Sequence, residues 1–203
     1  MKKMLHVCLV LAGLALHGGP VSAQTLGLGQ ISDYMNQLGP VTADFAQYND
    51  DGTVASGVFT LHRPGRARFE YAPPADLLVM AGQGALAIFD SKFSATPETY
   101  PLAKTPLSLV LGGQVQLQGN PLVVGHYDEG ETTVVVAQDP ENPEYGTIEL
   151  LFAVQPLALQ GWRIRDEVGG VTEVQLQALL PAPNLPNRLF NIQAETASRQ
   201  AGR

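Results

Sequence analysis

Few side chains in this sequence have the type and spacing to make or break a covalent bond. His6 and His17 fall in an apolar N-terminal segment. His62 and His126 stand far apart, neither with a second histidine at metal-ligand spacing. There is no G-x-S-x-G turn to expose a nucleophilic serine, no H-E-x-x-H pair for zinc and no glycine-lysine loop for phosphate. Acidic residues gather in turn segments such as Asp128-Glu129-Gly130-Glu131, where solvation accounts for them. These residues point away from an enzyme and call for no cofactor or metal. The side chain that suggests a chemical task is Arg63. Gly57, Phe59, Leu61 and Arg63 alternate along one run, so they share a face of a strand. Two large apolar residues mark that face as the interior. A guanidinium there would offer five N–H donors and no acceptor, which is chemistry for holding carbonyls. The other reading ends the strand at Arg63, beside Pro64, and sends the side chain to the solvated rim, since a buried arginine is rare unless paired. His62 alternates to the opposite face and is expected to be exposed.

The elements that must position Arg63 run from Gly57 to Asp90. Val58 to Arg63 is stopped by Pro64-Gly65, and Arg68 to Tyr71 by Pro73-Pro74. Leu77 to Met80 passes through Gly82 and Gly84 into Ala85–Asp90. Short runs bounded by Pro and Gly predict an antiparallel meander. Upstream, Ile31, Tyr34, Met35 and Leu38 have helical spacing, so Gln24 to Leu38 is predicted as an amphipathic helix stopped by Gly39-Pro40. Val41, Ala43 and Phe45 then alternate as a strand, which turns at Asn49-Asp50-Asp51-Gly52. Downstream, Lys92 to Ala95 is a candidate further strand. Thr105-Pro106 opens a short helix with Thr as N-cap and Pro at the first position. Leu107, Val110 and Leu111 form its apolar face, and Gly112-Gly113 ends it. A helix so short is not stable alone in water, so it must lie on apolar surface, as ordinary core or as a lid over a cavity. Five more strands follow, over Pro121 to His126, Thr132 to Gln138, Thr147 to Ala153, Leu157 to Arg165 and Val171 to Ala178. Trp162 is expected in the core or a cavity wall. Leu179 to Pro186 reads as a Pro-rich loop, Asn187 to Gln193 as a last strand, and residues 194–203 as a polar tail.

The 203 residues are 45% hydrophobic and 15% charged, enough for one domain with a substantial core. Residues 1–23 read as a secretory signal peptide: Lys2 and Lys3, an apolar run from Met4 to Leu16, and Val21-Ser22-Ala23 before the expected cleavage at Gln24. The run is shorter than the ~20 residues that span a bilayer. Cys8, the single cysteine, falls inside that run and is not placed for lipidation. The expected product is therefore secreted, soluble, cysteine-free and without a lipid anchor. Losing Lys2 and Lys3 makes the chain two charges more acidic than its full-length −7. Such a balance argues against nucleic acid or anionic lipid as a partner and suits steering toward basic protein surfaces.

Taken in order, Gly57, Phe59, Leu61, Arg63, Pro64, Gly65, Arg68, Phe69, Tyr71, Pro74, Leu78-Val79, Gly84 and Phe89-Asp90, with Thr105-Pro106-Leu107 downstream, resemble the bacterial lipoprotein carrier proteins of the LolA family. The resemblance is clear over residues 40–115 and loose over most of the rest. It implies a mainly β fold over residues 24–193: an unclosed antiparallel half-barrel of about eleven strands with helices covering a concave apolar cavity. It implies that this cavity takes the acyl chains of lipoproteins, with Arg63 as lid or gate and Phe45, Phe59, Leu61, Phe69, Leu107, Val110 and Leu111 as cavity lining. The implied partners are lipoproteins, an inner-membrane lipoprotein-releasing ABC transporter, and an outer-membrane acceptor or the outer membrane itself, with the carrier a monomer. Alternatives are a sensor or regulator on the same half-barrel, which usually has a second domain, and an acceptor of the LolB type, which needs a lipidated cysteine. A lipid hydrolase is a third, and lacks its nucleophile motif here. Two features depart from the family pattern. Phe69 stands where Trp is commoner, and Leu189-Phe190-Asn191-Ile192 runs directly into a polar tail where enterobacterial members add Pro-Pro-x-Gly, a loop and a further strand.

Overall fold

The computed structural model describes residues 25–201 apart from positions 91, 93, 95 and 106. The signal peptide expected over 1–23, its cleavage point and the helix-opening Pro106 lie outside the described residues. So does half of the strand expected over Lys92 to Ala95; the next strand is instead Glu98–Pro101.

The chain opens with helix α1 (Leu28–Gln37), then strands β1 (Val41–Tyr48), β2 (Val54–Leu61), β3 (Ala67–Tyr71), β4 (Leu77–Gly82), β5 (Ala85–Asp90) and β6 (Glu98–Pro101). A 3-10 turn (Leu102–Lys104) leads into the one-turn helix α2 (Ser108–Leu111). There follow β7 (Val123–Glu129), β8 (Thr132–Gln138), β9 (Thr147–Val154), β10 (Leu157–Arg165), β11 (Val171–Leu176) and β12 (Leu180–Pro181). A second 3-10 turn (Pro143–Tyr145) separates β8 from β9, and the described chain closes with a third (Asn187–Phe190) and helix α3 (Ile192–Ala201). The described strands form one antiparallel sheet in the order β6-β5-β4-β3-β2-β1-β11-β10-β9-β8-β7, with β12 paired to the start of β1.

This topology is a half-barrel of two meanders joined where β1 pairs with β11. Its edge strands, β6 and β7, are consecutive in sequence, so residues 102–122 cross from one edge to the other and carry α2 with them. Alternation puts Val41, Phe45, Phe59, Leu61, Ala67, Phe69, Val135, Ile148, Leu150, Phe152 and Trp162 on the inner face. There they form one core with Ile31 and Met35 of α1 and Leu109, Val110 and Leu111 of α2. Pro40 cannot continue α1, and Gly39-Pro40 turns the chain into β1.

The C-terminal end differs from the sequence expectation. Residues 187–190 are a 3-10 turn, not a strand, and residues 194–201 are helical rather than a tail. Ile192 is buried against Leu78, Met80, Ala87 and Phe89 on the outer face of β4 and β5, so these two strands are covered on both sides. Phe190 comes so close to β4 that a Cβ on Gly82 would lie 2.1 Å from the Phe190 carbonyl oxygen; the position admits only glycine. Acidic residues are also not confined to turns. On the outer face Glu149, 6% exposed, bonds both Arg163 and Arg165, and Arg163 also reaches Glu129 and Glu173.

Candidate functional site

Under α2 the inner face encloses an apolar hollow lined by Phe59, Leu61, Ala67, Phe69, Leu107, Val110, Leu111, Ile148, Leu150, Leu159 and Trp162. Its volume is about 20 Å³, room for roughly one water molecule, so the hollow is nearly filled by its own walls. Of the seven residues expected to line a cavity, Phe59, Leu61, Phe69, Leu107, Val110 and Leu111 lie around it. Phe45 does not: it packs behind Phe69 in the same core, rings 6.0 Å apart. Ala67, Ile148, Leu150, Leu159 and Trp162 complete the wall. The alternation Ile148, Leu150, Phe152 along β9 is the signal that marks two of them.

The roof is built from α1, α2 and the extended segment after α2. Asn36 binds Val115 from both sides: its Nδ2 donates to the Val115 carbonyl at 2.9 Å and its Oδ1 accepts the Val115 N–H at 2.8 Å. The side chain thus stands in for a neighbouring strand. One turn earlier, Ser32 Oγ donates to the Leu28 carbonyl at 2.7 Å and accepts the Leu117 N–H at 3.1 Å. Val115 and Leu117 are buried between α1 and the sheet. α2 begins at Ser108, not at Thr105. Leu107 holds the cap position, and the Thr105 hydroxyl turns back to the Leu102 carbonyl, so the expected Thr cap is not formed.

Arg63 sits just past the end of β2, where the two roof pieces meet. Nη1 donates to the Met35 carbonyl in the last turn of α1. Nη2 donates to the Gly112 carbonyl at the C-cap of α2, at 2.9 Å, and approaches Asn36 Oδ1 at 3.4 Å. Helix C-termini leave carbonyls without intrahelical partners and carry partial negative charge, so a guanidinium is matched to both ends at once. Two residues on, the Gly65 N–H donates to the Leu111 carbonyl at 2.7 Å. Burial pulls the Arg63 pKa below its ordinary value, and Nε is enclosed without a partner. Arg63 is half-buried, neither at the free rim nor deep in the core.

His62 is not exposed as its alternation suggests. Its ring meets Phe190 edge-on at 6.1 Å and its Nδ1 is enclosed, because the C-terminal segment covers this outer face. Burial, with Arg66 nearby, lowers its pKa. The same turn is tied outward by Arg66 Nη1, which donates to Asn187 Oδ1 at 2.8 Å. Among the described residues, no three His, Cys, Asp or Glu side chains cluster as metal ligands would.

The apolar interior thus lies beneath a roof whose two helix ends meet at Arg63. The family model for the outer membrane lipoprotein carrier protein LolA matches residues 36–193. The chain belongs to the LolA family. Relatives named outer-membrane lipoprotein carrier protein include one from Legionella pneumophila strain Paris, 27% identical over 77% of this chain and 80% of its own. Another, from Methylococcus capsulatus, is 23% identical over 90% of both chains. Among solved structures, a putative outer membrane lipoprotein-sorting protein domain from Vibrio parahaemolyticus superposes with a TM-score of 0.49 and 9% identity, covering 83% of this chain and 97% of that one. A LolA superfamily protein from Nitrosomonas europaea gives a TM-score of 0.45 at 9% identity over 82% and 98%. The LolA match begins at Asn36, inside α1, and ends at Gln193, so most of α3 lies beyond it.

Proposed function

We propose that this LolA-family chain is a periplasmic chaperone that binds the acyl chains of lipoproteins released from the inner membrane and carries them to the outer membrane. The observation that carries this reading is the apolar hollow roofed by α1 and α2, with Arg63 holding a carbonyl of each. Acyl chains entering the hollow displace the roof from the sheet, and the Arg63 bonds favour its return when they leave. The chain acts by binding, not by catalysis. An inner-membrane ABC transporter supplies the work of loading, and an outer-membrane acceptor or the membrane itself receives the cargo.

The test is transfer in vitro. A triacylated lipoprotein in vesicles containing its releasing transporter is supplied with ATP and the purified mature chain. A soluble complex of carrier and lipoprotein is expected on size exclusion, and it should pass its cargo to a second population of vesicles. Lipoprotein that stays with the donor vesicles at every carrier concentration would overturn the reading. Mass spectrometry of the natural product checks the compartment: the expected N-terminus is Gln24 without acylation, and an acylated N-terminus would favour an anchored acceptor.

A further inference from the structure

The hollow has a far end of different chemistry. The inward residues of β3 run Ala67, Phe69, Tyr71; the first two line the hollow and Tyr71 lies beyond it. The wall between is aromatic. Phe69 stacks on Phe59 at 4.8 Å and meets Trp162 edge-on at 5.5 Å. Phe45 bridges Phe69 and Tyr71, edge-on to both, at 6.0 and 5.0 Å. Gly57 makes room for it, since a Cβ there would lie 2.9 Å from the Phe45 ring and 2.1 Å from the Glu70 carbonyl oxygen.

Past that wall the interior turns polar. Tyr71 Oη donates to Gln47 Oε1 at 2.6 Å, and Gln47 Nε2 donates to Asn49 Oδ1 at 2.7 Å. Asn49 Nδ2 donates to Thr53 Oγ1 at 3.0 Å, and Thr53 Oγ1 to Asp51 Oδ1 at 2.6 Å. One hydrogen-bonded chain thus runs from the end of the hollow to the exposed β1–β2 turn. Burial pushes the Tyr71 pKa up to about 12, so the hydroxyl keeps its proton at neutral pH.

We propose that the Tyr71–Gln47 pair, behind Phe45 and Phe69, is the length stop of the acyl site and sets which acyl chains are taken whole. This rests on the acyl-binding reading of the hollow and adds its specificity. A chain whose methyl end reaches Phe69 meets only apolar surface. A longer one must part Tyr71 from Gln47 and set a polar group against hydrocarbon without its partner, at a cost of about tenfold in affinity. Up to that length each added methylene is worth about fourfold.

A homologous series of saturated fatty acids, competing with a fluorescent fatty acid for the purified mature chain, reads the stop. For the wild type, affinity should climb with length and then break. In Gln47→Leu and in Tyr71→Leu the polar stop is gone and the break should move to longer chains. Gln47 is half-buried, so Gln47→Leu decides the matter if Tyr71→Leu does not fold. A break at the same length in wild type and in folded Gln47→Leu would overturn the proposal, as would a wild-type series with no break. A wild type that binds no member of the series removes the acyl-site reading itself, and the stop with it.

Discussion

At the scale of residues, Arg63 joins pieces of chain that sequence keeps far apart. Its acceptors are a carbonyl 28 positions upstream and another 49 positions downstream. Alternation placed Arg63 with Phe59 and Leu61, and no local pattern could say which carbonyls would come to meet it. Charge-assisted bonds of this kind are worth about 1.5–3 kcal/mol each. Arg63→Leu removes the donors that hold the two helix ends together, which favours a loaded carrier over a closed, empty one. The variant is expected to fold and load, but to pass cargo to acceptor vesicles at least about tenfold more slowly, the equivalent of ~1.4 kcal/mol. Release at the wild-type rate would return Arg63 to a purely structural role. Asn36 is a second such residue, and nothing in its neighbourhood marks it, because a polar residue near a helix end is ordinary. Asn36→Ala strips Val115 of both backbone partners and should cost about 2–3 kcal/mol. Denaturant unfolding reads that loss. Amide exchange at Val115 should quicken far more than in β8 or β9, and equal acceleration everywhere would show that Asn36 does not act through the roof.

At the scale of elements, turn chemistry made most strands legible. Pro64-Gly65, Pro73-Pro74 and the Asn49–Gly52 turn all fall between observed strands. The C-terminal helix was not legible, for a physical reason. α3 is polar, and its apolar hold on the sheet is essentially Ile192. The rest is charge: Glu195 accepts from Arg68 at 3.2 Å and from Arg199 at 2.8 Å, and the Arg199 guanidinium lies 5.2 Å from the Phe89 ring centre. The useful signal was in its partner. Leu77–Ala81 is an unbroken apolar run, which reads as a strand covered on both faces. The Glu195 contacts have a pH signature. Burial raises its pKa, but the bonds to Arg199 and Arg68 outweigh burial and hold it below the ordinary glutamate value. A depressed folded pKa means that the contribution is whole above the unfolded value of about 4.3 and fades as pH falls through the lower folded value. Amide exchange should therefore show α3 loosening from the sheet below about pH 4, ahead of β4 and β5. Glu195→Gln should flatten that dependence, and an unchanged acid profile in the variant would assign the loosening to other groups.

At the scale of the whole molecule, the nearly filled hollow bears on the affinity of the proposed carrier. A triacyl anchor of about 40 methylenes, at ~0.8 kcal/mol for each one buried, would yield on the order of 30 kcal/mol if wholly covered. Known non-covalent affinities stop near 18–21 kcal/mol, and a carrier at that limit would not let go. With only about 20 Å³ open in the hollow, and interiors packed as densely as organic crystals, cargo must replace contacts that the roof already makes with the sheet. In the proposed carrier those contacts compete with cargo and keep its binding reversible. The topology says where the replacement occurs. Residues 102–122 are tethered to edge strand β6 at one end and edge strand β7 at the other, while every strand between is hydrogen-bonded to its neighbours. The roof can therefore rise without any strand separating. The Gly65 N–H, bonded at 2.7 Å to the Leu111 carbonyl, bridges roof and sheet and reports that movement. In a loaded carrier its amide is expected to exchange at least about tenfold faster, since a broken bond worth about 1.5 kcal/mol shifts protection by that much, while amides of β8 and β9 keep their protection. Unchanged protection at Gly65 in protein that demonstrably carries a lipoprotein would mean that the acyl chains lie on another surface and that the roof never opens for them.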